Sequence, residues 1–282
     1  MKIGVIGSGT ASQELPAHLA VFASADIEPR IVNPRLSVFA LTPYERLIVD
    51  VGYVDAAQSA AAADCDALFV NSMADYGLEA MRAAVPIPVV GAGEAALREA
   101  ASGGRRFAIV TVWPRSMGFL YDERLRACGL TGQCVAIHHL TGEDELVRLA
   151  AEDGVMARMH RGEHAVIAQL AALCAGAVQR DGAECLVLGC TCMAPIGPAL
   201  AAACTVPVIE ASRAGFLAAV EVLRDPSRRQ AASAALRSRR TTLVPGLVDG
   251  WFAAARGRPA APSPAAPPVD GSDCPVCIAD PR

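Results

Sequence analysis

Short apolar runs alternate with longer stretches of helical spacing along most of the chain. The runs are rich in Val and Ile, which is typical of strands buried in a parallel sheet. We predict strands at 2–6, 27–32, 67–71, 85–90, 106–111, 133–137, 184–189 and 206–209, and helices at 43–63, 78–84, 116–128, 143–151, 155–180 and 211–223. This alternation predicts an α/β fold with parallel sheets and right-handed crossovers.

A near-repeat organises this pattern. The two copies are ALFVNSM leading through a helical stretch into IPVVGAGEAA, and CLVLGCTC leading in the same way into VPVIEASRA. They place Ser72 and Cys190 at the ends of corresponding strands. Ligands of parallel sheets collect at the carboxyl ends of the strands. Two copies therefore predict two half-sites that face each other, with a hydroxyl and a thiol placed for proton transfer on opposite faces of a small substrate.

A second series of strands opens near residue 106, which predicts two pseudo-symmetric α/β domains with the active site in the cleft between them. We place residues 1–104 together with 211–224 in the first domain and residues 105–210 in the second. Residues 225–282 are Ala/Arg-rich and then Pro/Ala-rich. Sequence of this kind buries little surface, so we expect a tail that is extended, disordered at its end and dispensable.

Composition narrows the classes of function. Of the 282 residues 53% are hydrophobic and 19% charged, with a net charge of -4, and no apolar run approaches the roughly 20 residues that span a bilayer. We expect no membrane partner and, without a Lys/Arg stripe to neutralise phosphates, no nucleic-acid partner. The amino terminus lacks the apolar core of a signal peptide, which predicts a cytoplasmic protein with reduced cysteines. Lys2 is the only lysine, which nearly excludes pyridoxal phosphate chemistry.

Other motifs are weaker signals. The segment 7–9 (GSG) follows a strand, but the third glycine of a dinucleotide loop is absent, so a turn that binds a small anion fits better. His160 and His164 would share one face of a long helix without the glutamate of a zinc protease motif, which favours a solvated face. A lone CxxC at 274–277 is weak evidence for metal or redox chemistry. We therefore predict no metal and no cofactor.

Cys190 stands in a different context. Gly189 before it would let the backbone approach a ligand, and a helix expected from Pro198 would place partial positive charge nearby. Such surroundings lower the pKa of a thiol and supply thiolate at neutral pH. A buried structural cysteine at a strand end is equally compatible with this motif, and the residues alone leave the two interpretations open.

Three segments together resemble the aspartate/glutamate racemase superfamily, in particular its hydantoin and allantoin racemase branch. LVLGCTCMAP resembles the second catalytic-cysteine motif, VNSMADYGLEAMRAAVPIPVVGAGEAA the first, and FAIVTVWPRS the central Val-Thr strand. The resemblance covers roughly residues 1–223. It implies a cofactor-independent proton transfer at the carbon next to a carboxylate or carbonyl, performed by two opposed cysteines between two pseudo-symmetric domains. It also implies a homo-oligomer.

The resemblance carries over to individual residues. Cys190 matches the second catalytic cysteine, and Ser72 stands where the first belongs. The expected substrate is a small amino acid, hydantoin, ureide or dicarboxylate. The candidate substrate-binding residues are Met73, through its backbone, Thr191, Thr111, Gly9 and Thr10.

The serine at position 72 limits what the resemblance implies. A hydroxyl without an adjacent base is a poor proton carrier, so Ser72 puts symmetric racemisation in doubt. Relatives with one cysteine include arylmalonate decarboxylases, in which a single thiol protonates one face of an enediolate. We expect a racemase or isomerase that uses Cys190, with two alternatives: a one-cysteine decarboxylase or lyase, and a binding protein that kept the fold and lost turnover.

Overall fold

The computed structural model describes residues 1–7, 15–36, 38–62, 64–148, 151–229 and 242–256. Its strands are β1 (Lys2–Ile6), β2 (Glu28–Val32), β3 (Ala67–Val70), β4 (Val89–Gly91), β5 (Phe107–Thr111), β6 (Cys134–His139), β7 (Cys185–Leu188) and β8 (Val208–Ile209). Its α-helices are α1 (Ala17–Ala20), α2 (Pro43–Ala62), α3 (Leu78–Ala84), α4 (Ala92–Ala100), α5 (Phe119–Cys128), α6 (Val155–His160), α7 (His164–Gln179), α8 (Gly197–Ala203), α9 (Ala211–Arg224) and α10 (Leu243–Arg256). Short 3-10 turns lie at Ser102–Gly104, Arg115–Gly118, Glu143–Arg148 and Thr191–Ile196.

The strands form two parallel sheets of four strands each within the described residues. The first sheet has the order β2-β1-β3-β4 and the second the order β6-β5-β7-β8. The two orders are equivalent, which confirms the predicted α/β fold and extends the near-repeat to whole sheets. β3 and β7 occupy the same position in their sheets, and Ser72 and Cys190 each lie two residues beyond the end of these strands.

Helices α4 and α9 pack between the two sheets. Phe69 of β3 and Phe107 of β5 belong to one buried apolar cluster with residues of these helices, such as Leu97 and Phe216. Gly215 allows the close approach of α9, because a Cβ at this position would lie 2.4 Å from the ring of Phe69. α9 contacts β3, β4 and α4, so the chain returns to the first sheet after completing the second.

Two predicted strands are shorter in the structure because of proline. β4 starts at Val89, after Pro86 and Pro88, and β8 starts at Val208, after Pro207. Proline has no N–H to donate to the sheet, so each ladder begins only after it.

The long helix predicted at 155–180 is wrong as a single element. α6 ends at His160 and α7 begins at His164, and Gly162 between them has φ of +68°, which ends a right-handed helix. The two histidines therefore do not share a helix face. The helix predicted at 143–151 is the 3-10 turn Glu143–Arg148.

The tail contains a helix that the sequence analysis did not predict. α10 packs against α2 and buries Val248, and Arg35 links the two helices by ion pairs of 2.6 Å to Asp55 and to Asp249. The Pro/Ala stretch and the CxxC motif lie outside the described residues. Among the helices of the described ranges, none combines the length and the apolar character needed to cross a membrane.

The two parts of the tail should differ in their effect on stability. A chain ending after Arg258 should keep the melting temperature of the full chain, whereas a chain ending after Arg229 should melt several degrees lower. Loss of α10 uncovers Val248 and its apolar partners on α2, which costs roughly 2–3 kcal/mol. Thermal unfolding of both truncations checks this, and equal melting temperatures would show that α10 contributes nothing.

Candidate active site

The loops that follow β3 and β7 meet through a direct hydrogen bond. Thr191 Oγ1 donates to the backbone carbonyl of Asn71 across 3.4 Å. Asn71 precedes Ser72, and Thr191 follows Cys190. Ser72, Cys190 and Thr191 are half-buried, whereas most residues around them in both loops are buried. The two predicted half-sites are therefore adjacent, and their candidate side chains keep access to solvent.

A buried serine supports this junction from α9. Ser212 lies in the first turn of α9, is fully buried, and donates its hydroxyl hydrogen to Asn71 Oδ1 at 2.8 Å. Glu210 caps the same turn by accepting the N–H groups of Ser212 and Arg213 at 2.7 and 2.8 Å, and burial raises the pKa of this carboxyl. Sequence reasoning did not identify Asn71 or Ser212, although Asn71 stands inside the VNSM motif.

Cys190 is joined to Cys192 by a disulfide in the structure. The residue is the N-cap of the 3-10 turn Thr191–Ile196, and its sulfur accepts the backbone N–H of Cys192 at 3.1 Å. The turn brings the two Cα atoms to 5.1 Å, within the range that a disulfide needs. The prediction of reduced cysteines is thus wrong for this pair and confirmed for Cys185 and Cys204, which are free.

Gly189 has a packing role between two strands, and the approach of a ligand to its backbone stays a prediction. A Cβ on Gly189 would lie 2.7 Å from Cβ of Thr111 and 3.0 Å from Cγ2 of Ile109. The close neighbour is therefore strand β5, and the glycine lets β7 approach it. The helix expected from Pro198 is confirmed as α8, which begins at Gly197, and the 3-10 turn Thr191–Ile196 lies between it and Cys190.

Thr111 lies inside the protein and takes part in a chain of hydrogen bonds. Its hydroxyl is 2.7 Å from the hydroxyl of Tyr121 and accepts the N–H of Trp113 at 3.2 Å. Tyr121 donates to the carbonyl of Gly189 at 2.8 Å, and burial raises the pKa of Tyr121, which keeps the phenol protonated. This geometry favours a role for Thr111 and Tyr121 in positioning the Cys190 loop. Tyr121 has no motif of its own, and sequence reasoning missed it.

Of the remaining candidate substrate-binding residues, the structure describes Met73 only. Met73 is buried in the loop after Ser72, and the next residue, Ala74, donates its N–H to Ser72 Oγ at 3.3 Å. Substrate binding by the Met73 backbone stays a prediction. Gly9 and Thr10 lie outside the described residues. In the ranges that the structure describes, no group of three or more His, Cys, Asp or Glu side chains is arranged to hold a metal ion.

Comparison with known proteins assigns the chain to a family. A family model described as Asp/Glu/Hydantoin racemase matches residues 3–219. The chain belongs to the Asp/Glu/hydantoin racemase family. It is 36% identical over 145 residues to the hydantoin racemase of Paenarthrobacter aurescens, covering 51% of this chain and 56% of that protein. The chain thus spans about half the length of this curated relative.

Two solved structures share the fold. An allantoin racemase from Klebsiella pneumoniae aligns with a TM-score of 0.66 at 25% identity, over 79% of this chain and 87% of that one. A double mutant of arylmalonate decarboxylase aligns with a TM-score of 0.56 at 20% identity, over 80% of this chain and 93% of that one. The second likeness shows the fold alone.

The disulfide predicts how cysteine reactivity depends on reduction. Without reductant, the peptide that carries Cys190 and Cys192 should escape iodoacetamide, because a disulfide sulfur is not a nucleophile. After mild reduction Cys190 should be labelled first. It is more exposed than Cys65, Cys174 or Cys185, and burial raises the pKa of the half-buried thiols of Cys128, Cys134 and Cys204. Mass-spectrometric peptide mapping checks both steps. Full labelling of Cys190 before reduction would contradict the disulfide.

Proposed function

We propose that the protein is a cofactor-independent racemase or isomerase that moves a proton at the carbon next to a carboxylate or carbonyl. The observation that carries this proposal is the Thr191–Asn71 hydrogen bond, which brings the loops of Ser72 and Cys190 together. Membership of the Asp/Glu/hydantoin racemase family supports it. The proposed substrates are small hydantoins, ureides, amino acids or dicarboxylates, with hydantoins first because the aligned relative is a hydantoin racemase.

Cys190 is the proposed proton carrier on one face of the substrate. The reaction requires its reduced form, since only a thiolate accepts a proton from carbon and only a thiol returns one. Cys190 packs against an apolar cluster that contains Ala74, Trp113 and Met193. Apolar surroundings strengthen the electrostatic interactions between the thiolate, the substrate and nearby donors.

The second task is to stabilise negative charge on the substrate oxygen. Removal of the proton leaves an enolate-like intermediate, which hydrogen-bond donors held at fixed positions stabilise. The proposed donors are the backbone N–H groups of Met73 and Thr191, since the hydroxyl hydrogen of Thr191 is donated to the carbonyl of Asn71. The hydrogen bonds of Ser212 and Tyr121 hold these loops in place, so the donors need little rearrangement when charge develops.

Ser72 faces the second side of the substrate in this proposal. Its hydroxyl ionises far less readily than a thiol and accepts the N–H of Ala74, which supplies no base. We therefore propose proton exchange that is fast on the face served by Cys190 and slow on the face served by Ser72. A one-cysteine decarboxylase or lyase is the alternative, because Ser72 leaves the loop after β3 without a thiol. Cytoplasmic location and a homo-oligomer stay predictions.

Exchange in heavy water tests the proposal. The reduced wild type should exchange the C–H of one hydantoin enantiomer quickly and that of its mirror image at least about tenfold more slowly, because only one face meets a thiolate. Cys190→Ser should abolish both exchanges. NMR with enantiomerically pure substrates measures the rates. A decarboxylase would release carbon dioxide from malonates without such exchange, and a binding protein would do neither.

Ser72→Cys is the matched gain-of-function variant. It replaces one oxygen with sulfur at a position where the motif resemblance implies a cysteine, so it should raise exchange of the slow enantiomer and change the melting temperature little. Ser72→Ala should leave exchange of the fast enantiomer intact. Equal exchange of both enantiomers by the wild type would show that another residue, such as Cys192, serves the second face.

A further inference from the structure

Asp75 is a fully buried carboxylate in the loop that carries Ser72. It adopts a left-handed backbone conformation with φ of 48°, and its N–H donates to the carbonyl of Ser72 at 3.1 Å. Its carboxylate accepts the backbone N–H groups of Gly93 and Glu94, in the first turn of α4, at 2.9 and 2.6 Å. The side chain thus ties the loop to a helix that packs between the two sheets.

Two glycines make room for this carboxylate. A Cβ at Gly91 would lie 2.3 Å from Asp75 Oδ1, and a Cβ at Gly93 would lie 2.1 Å from the carbonyl oxygen of Met73. The GAG segment at the start of α4 therefore accommodates both the Asp75 side chain and the backbone next to Ser72. A buried charge with a left-handed backbone persists only where the surroundings hold it firmly.

The second half of the molecule contacts this carboxylate through Arg124 of α5. Arg124 is buried, and its guanidinium lies 3.6 Å from Asp75 Oδ2 and donates to Glu79 at 2.9 Å. The preceding residue, Glu123, pairs with Arg46 of α2, which reaches the carbonyl of Ala74 at 3.4 Å. Two consecutive residues of α5 therefore hold the Ser72 loop. Arg124 contacts Asp75 directly, and Glu123 pairs with the arginine that binds the carbonyl of Ala74.

We propose that Asp75 and Arg124 are positioning residues that set the separation between the Ser72 and Cys190 loops. The inference rests on the proposed function, in which these two loops face opposite sides of one substrate. The pair joins the Ser72 loop to α5, and Tyr121 of the same helix binds the carbonyl of Gly189 beside Cys190. One helix thus holds both loops, so a shift at Asp75 changes the gap that the substrate occupies.

Charge at Asp75 depends on pH. Burial raises its pKa to about 7, although Arg124 and the N–H groups of Gly93 and Glu94 oppose the rise. The other ionisable groups facing the pair are Glu79 of α3, the side chain of Glu94 on α4 and Cys128 of α5. Because the folded pKa exceeds the ordinary value of 3.8, stability from this carboxyl is complete below about pH 4 and declines as the pH rises through 7. Asp75→Asn should remove this decline.

Hydrogen exchange tests the positioning role without any substrate. In Asp75→Asn and Arg124→Met, peptides containing residues 72–77 should lose protection from exchange at temperatures where the rest of the fold stays protected. Arg213→Met is the matched control, since it breaks an arginine–glutamate ion pair of 2.9 Å to Glu99 inside the first half. It should leave residues 72–77 protected.

Kinetics of the reduced full chain give the second test. Asp75→Asn and Arg124→Met should each lower kcat for C–H exchange about 10- to 100-fold with a smaller change in KM, because misplaced groups act chiefly in the transition state. The double variant should lose no more than either single variant, since the two residues act as one unit. Arg124→Lys, which keeps the charge, should recover part of kcat.

The outcomes separate this inference from the proposed function. Variants that melt at lower temperature but keep wild-type kcat and protected residues 72–77 would overturn the positioning role, as would fully additive losses in the double variant. If the wild type exchanges no substrate, the proposed function fails. The hydrogen-exchange result then decides alone whether the pair fixes the loop.

Discussion

The packing of α4 and α9 between two equivalent sheets is the constraint on which the rest of the structure depends. β3 pairs with β1 in the first sheet, and β7 pairs with β5 in the second. The carboxyl ends of β3 and β7 therefore emerge at corresponding places in the two sheets. Residues of both helices and of both sheets belong to one apolar cluster. Neither half can therefore move without disturbing the core of the other. The loops after β3 and β7 are therefore held in contact.

Networks of buried hydrogen bonds support each of the two loops. Asn71, Ser212 and Asp75 support one loop, and Thr111 and Tyr121 support the other, each through hydrogen bonds among buried atoms. Buried polar groups are costly unless they are paired, so such networks define one arrangement of the backbone. A site that must surround both faces of a small substrate needs backbone donors at fixed positions, which this arrangement supplies.

Cys190 forms a disulfide in the structure, whereas the proposed chemistry needs its thiol. As a thiol at the end of β7 it can carry a proton, and as the partner of Cys192 it cannot. The tight turn that begins at Cys190 brings Cys192 within reach of its sulfur. The proposed chemistry therefore requires reduction of this disulfide.

The sequence by itself determined the α/β class, most strand and helix positions, the near-repeat, and the placement of Ser72 and Cys190 at equivalent strand ends. These features follow from local periodicity and from motifs a few residues long. Tertiary structure alone decided the order of strands, the bond between Thr191 and Asn71 across a separation of 120 residues, and the contact of Tyr121 with Gly189 across 68. It also decided the packing of α10 and the role of Gly189. Such contacts depend on which distant segments share a core, and no local pattern in the chain encodes that choice.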